Sequence, residues 1–83
     1  MISSSQLKAA RALIGIDQKG LAERAGLSLP TIQRMESSDD IVRSNVESAM
    51  KVMSALESLG VELIGPGQVS QYGGRGVRLR HVR

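Results

Sequence analysis

Gln18-Lys19-Gly20-Leu21-Ala22-Glu23-Arg24-Ala25-Gly26-Leu27-Ser28-Leu29-Pro30-Thr31-Ile32-Gln33-Arg34-Met35-Glu36 is the stretch whose reading decides the fold. Asp17, just before it, is a helix N-cap residue, and Leu21, Ala22 and Ala25 recur at helical spacing before Gly26 supplies a left-handed stop. Ser28 caps a second helix, and Pro30 fits its first turn because no intrahelical acceptor waits there for an N–H. Ile32 and Met35 point inward from this second helix. The expectation is two short helices, 18–25 and 29–37, joined by a tight glycine turn.

Working outward, Ser3 and Gln6 form a capping box for a helix over 4–14, with Leu7, Ala10, Leu13 and Ile14 as its apolar face and Gly15 as its stop. On the other side, Ser37 to Asp40 is a polar break. Ser44 and Glu47 open a fourth helix whose stripe is Val46, Ala49, Met50, Met53 and Leu56, closed by Gly60. Leu7, Leu21, Ile32, Met50, Met53 and Leu56 are expected in the core. After Gly60 the period changes: Val61 to Ile64 reads as one strand and Val77 to Val82 as another, joined by a glycine-rich loop. An isolated hairpin is marginal in water, so these strands are expected to pair with a second chain. The domain division is therefore 1–60 for the helical part and 61–83 for a β segment.

Composition narrows the function. Eighty-three residues make one small domain. There is no cysteine, and His81 is the only histidine, which removes thiolate chemistry and multi-histidine metal sites and leaves no nucleophile–base pair. No metal, no cofactor and no enzymatic activity are expected. Met1 to Ser5 has no signal-peptide pattern and no apolar run approaches membrane-spanning length, so the expectation is a cytoplasmic protein without a membrane partner. Tyr72 is the only aromatic residue, which disfavours binding of single strands by base stacking. The net charge is +3, but in residues 1–60 seven basic and seven acidic groups cancel, and the surplus comes from Arg75, Arg78, Arg80 and Arg83 against Glu62. Charge alone therefore makes a weak case for nucleic acid.

Position makes a better one. A helix held across its predecessor by a glycine turn presents its outer face to a DNA groove, which is helix-turn-helix geometry. The run from Gln18 to Ser28, continued by Thr31-Ile32-Gln33-Arg34-Met35-Glu36, resembles the Cro/phage-repressor (XRE) family of DNA-binding proteins, with Gln18, Leu21-Ala22, Gly26, Ile32 and Glu36 at family spacing. The resemblance spans about residues 5–60 and implies a lambda-repressor-like fold of four main helices, here followed by the two-strand β segment. It implies that Gln18 and Lys19 meet a DNA phosphate, that Leu29, Pro30, Thr31, Gln33 and Arg34 face the bases, and that Arg43 meets the backbone or minor groove. Arginine pairs with guanine O6 and N7, and glutamine with adenine N6 and N7, which makes Arg34 and Gln33 the strongest base readers. The apolar Leu29-Pro30 pair suits a thymine methyl. Gly20 stands where the family often has a capping glutamate.

Each residue also has a plainer reading: Arg34 and Gln33 as solvated surface, Glu36 as a structural carboxylate, and the tail arginines as a charged edge that discourages aggregation. The combined expectation is a homodimeric transcriptional regulator, a repressor, binding double-stranded DNA at an inverted repeat. Val61, Leu63, Ile64, Val77 and Leu79 would form the dimer interface. The second reading is an antitoxin or antiactivator that keeps the helix-turn-helix shell but holds a protein partner, a toxin or an activator.

Overall fold

A computed structural model of the chain describes residues 2–37, 46–65, 68 and 69. Four helices follow one another: α1 (Ser4–Ile14), α2 (Gln18–Ala25), α3 (Leu29–Ser37) and α4 (Val46–Ser58). The first three have the bounds the sequence predicts. α2 packs on both α3 and α4, and α1 packs on α3. Ile2, Leu7, Leu21, Ile32, Met35, Val52 and Leu56 form the fully buried centre.

The helix starts follow from capping chemistry. Ser3 Oγ accepts the Gln6 N–H at 3.1 Å while Gln6 Oε1 accepts the Ser3 N–H at 3.0 Å, closing the capping box of α1. At α2, Asp17 Oδ1 accepts the Gly20 N–H at 2.7 Å. A Cβ on residue 20 would sit 3.1 Å from that oxygen, so Gly20 is what lets the carboxylate close so tightly on the first turn.

Three helix ends share one device. Gly15 and Gly26 have φ near +70° and Gly60 has φ +93°. The residue after each glycine donates its N–H back to the carbonyl five positions earlier: Ile16 to Arg11, Leu27 to Ala22 and Val61 to Leu56. Ile16, Leu27 and Val61 then fold onto the core, so each stop also fixes the direction in which the chain leaves. At Gly26 the turn out of α2 is closed by backbone hydrogen bonds from Gly26 and Leu27 to the end of the helix.

Two expectations need correction. Met50 is 59% exposed and Val46 is 65% exposed, whereas Val52 and Ala55 are buried. Two apolar stripes overlap on α4, and the buried one is Ala49, Val52, Ala55 and Leu56, with Met53 half-buried. Small Ala49 and Ala55 let α2 approach closely, which the larger Val46 and Met50 would not. Residues 61–64 form no strand among the described residues. The Val61 N–H is used by the end of α4, and the Ile64 carbonyl accepts Gln6 Nε2 at 2.8 Å, so the stretch is fastened to α4 and α1. Ser44, Arg43, Asp39, Asp40, Val77, Leu79, the tail arginines and His81 lie outside the described residues.

Candidate nucleic-acid interface

α3 divides by its helical period into an anchored face and an open one. Ile32, Met35 and Glu36 are buried, while Pro30, Gln33, Arg34 and Ser37 are exposed and stand one turn apart. Of the expected base-facing set, the structure therefore brings Pro30, Gln33 and Arg34 together on the open face. Leu29 and Thr31 are half-buried at its margin.

The anchored face ends in an ion pair. Arg11 on α1 meets Glu36 in the fork geometry, Nε to Oε2 at 2.6 Å and Nη2 to Oε1 at 2.9 Å. Arg11 Nη1 also donates to the Ile16 carbonyl at 3.1 Å, tying the α1–α2 turn into the same cluster. The Glu36 side chain is 4% exposed and that of Arg11 22%. Burial pushes the Glu36 carboxyl up, but hydrogen bonds from Arg11 and then Gln18, with the charges of Arg11 and Lys8, outweigh it and hold the group below its ordinary range. The hydrogen bond to Glu36 is likewise the largest reason that the Arg11 guanidinium is held above its ordinary value. The pair thereby ties α1 to the buried side of α3.

Gln18 belongs to this cluster. Its Nε2 donates to Glu36 Oε1 at 3.0 Å, so the half-buried side chain is oriented by α3 rather than left in solvent. Asp17 caps the same helix end through its carboxylate, which takes the Gly20 N–H, and the first N–H groups of α2 have no intrahelical acceptor. Lys19 is exposed beside them. Sequence reasoning passed over Arg11. The signal was available: Arg11 follows Leu7, and Glu36 follows Ile32, by four positions, which sets opposite charges directly above two core residues.

Among the described residues no cluster of His, Asp or Glu is arranged to hold a metal ion, and no helix is long and apolar enough to cross a membrane. A short helix fixed across its predecessor by a Gly26 turn, pinned from behind by an ion pair and open on its outer face, defines a helix-turn-helix domain of the DNA-binding kind. A family profile described as helix-turn-helix matches residues 7–64, and the chain belongs to the Cro/C1-type (XRE) helix-turn-helix family of DNA-binding regulatory domains. No curated protein and no solved structure matches the chain.

Proposed function

We propose that the protein is a sequence-specific, double-stranded-DNA-binding transcriptional repressor that acts as a homodimer on an inverted-repeat operator. The observation that carries this reading is the open face of α3, where Gln33 and Arg34 stand exposed on a helix whose other face is buried and ion-paired. Arg34 and Gln33 are the principal base readers, Leu29, Pro30 and Thr31 line the same groove, and Gln18, Lys19 and Arg43 contact phosphates. Repression by occupying a promoter needs no cofactor and no enzymatic step.

The dimer interface of this reading comprises Val61, Leu63, Ile64, Val77 and Leu79. Supporting it, Val61, Leu63 and Ile64 remain half-buried on one chain, and the adjoining Leu13 of α1 is 45% exposed. A twofold pair places two recognition helices about one DNA turn, roughly 34 Å, apart. Duplex affinity is expected to fall about 10³- to 10⁵-fold between 50 and 200 mM salt if six to ten phosphates are contacted. Titration of labelled duplex across that range measures it; affinity that ignores salt would contradict phosphate-anchored binding.

One observation favours the second reading, a protein-holding antitoxin or antiactivator. Val46 and Met50 face solvent beside Arg24 and Ala25, where a DNA reader has no need of apolar surface. Under that reading the chain shows no duplex affinity at any salt concentration, which the same titration detects.

A further inference from the structure

The open side of α3 carries a chain of side-chain contacts that base reading by itself does not require. Arg34 Nη2 donates to Thr31 Oγ1 at 3.4 Å. Thr31 Oγ1 lies 2.8 Å from Ser28 Oγ, which also accepts the Thr31 backbone N–H at 3.3 Å. Thr31 and Arg34 are three positions apart, the spacing at which helix side chains meet, and Thr31 is half-buried while Arg34 is exposed.

Bonding capacity decides what Thr31 can still do. A hydroxyl has one proton and two lone pairs. Thr31 Oγ1 uses one lone pair on Arg34, and between it and Ser28 Oγ a single proton is shared. Beside a guanidinium, the favoured polarity runs away from the cation, with Arg34 donating to Thr31 and Thr31 donating to Ser28, because each bond then strengthens the next. In that polarity Thr31 has no proton left to offer a base or a phosphate. One lone pair remains, and an acceptor contact with a base amino group is the alternative that loss of preference at a different base pair would reveal. Arg34 uses one N–H of five on Thr31, and the second Nη2 N–H, with the parallel N–H of the neighbouring Nε or Nη1, remains for a paired contact with guanine O6 and N7.

We propose that Thr31 reads no base and is instead a positioning residue: with Ser28 behind it, its hydroxyl holds the Arg34 guanidinium in the orientation used for readout. This rests on the reading of Arg34 as a base contact. An arginine on an exposed helix face otherwise samples many rotamers, and fixing one N–H narrows them before DNA arrives.

The test uses the whole 83-residue chain and a set of operator duplexes in which each base pair is changed in turn. Arg34→Ala identifies the base pair that Arg34 reads, by loss of preference there. Thr31→Val, equal in shape but without the hydroxyl, is expected to cut discrimination at that same base pair about tenfold, a fraction of what a bidentate contact supplies. Preferences at the other base pairs and the thermal midpoint should be unchanged, and Thr31→Ser should restore the lost discrimination. A preference lost at a different base pair would make Thr31 a reader and overturn the proposal, and so would full discrimination retained by Thr31→Val. Loss spread over all base pairs with a lowered melting temperature would assign Thr31 to helix stability and also overturn it. If Arg34→Ala keeps every preference, the base-reading role of Arg34 fails first, and that result is distinguishable because it appears before any Thr31 variant is measured.

Discussion

Glu36→Gln is expected to cost about 3 kcal/mol and to lower the thermal midpoint by about 12–24 °C, the range for losing one partner of a buried ion pair in a domain this small. The variant keeps the shape of Glu36 but removes the charge that Arg11 was folded against, leaving a guanidinium with 22% of its side chain exposed and only the weaker field of Asp17 to balance it. The variant's amide oxygen can keep the contacts that Oε1 makes with Arg11 Nη2 and Gln18 Nε2, but its NH2 then faces Arg11 Nε–H, donor against donor, where Oε2 accepted. Total stability of small domains is about 5–15 kcal/mol, so the loss is a large fraction of what holds the fold. Thermal unfolding followed by circular dichroism measures it, and an unchanged midpoint would show that the pair contributes nothing.

The same pair sets an acid limit. Because the folded state holds the Glu36 carboxyl below its ordinary value of 4.5, the folded chain binds fewer protons there than the unfolded one. Its contribution is therefore fully present above that value and is lost as pH falls through the lower, folded value. Above pH 5 Glu36 contributes no pH dependence, and Glu36→Gln should flatten the acid limb of the stability profile.

The second large effect falls on binding. Arg34→Ala should weaken the operator complex about 5- to 150-fold per half-site, corresponding to the 1–3 kcal/mol of one bidentate guanine contact. The loss should fall on the cognate duplex and spare a scrambled one, because Arg34 lies on the open face and touches nothing in the core. Competition binding with both duplexes separates the outcomes. Equal loss on the two would place Arg34 on a phosphate, as expected instead for Lys19→Ala.

Much of the fold is legible in local chemistry. Ser3, Asp17 and Ser28 mark helix starts, and a glycine followed by an apolar residue marks three helix ends. Those signals act over one turn, so sequence alone sets the bounds of α1, α2 and α3. Where two local readings compete, tertiary packing decides. On α4 the stripes containing Met50 and Val52 have the same period, and the choice depends on which side lets α2 come close. Val61 to Ile64 has strand-like composition, but the turn at Gly60 takes the Val61 N–H and Gln6 takes the Ile64 carbonyl. The outer face of α3 could be read because its inward residues are apolar. The support behind it is harder to read: the spacing sets Arg11 and Glu36 each one turn from a core residue, but they are 25 positions apart, so only the tertiary fold brings the two together.

The most direct test of the central claim is selection of bound sequences from a randomised duplex library by the purified protein at near-physiological salt. A dimeric groove reader predicts enrichment of an inverted repeat with half-site centres about 10 bp apart, one helical turn of DNA. A library that emerges without any enriched motif would contradict sequence-specific recognition by α3 and leave the protein-holding reading in its place.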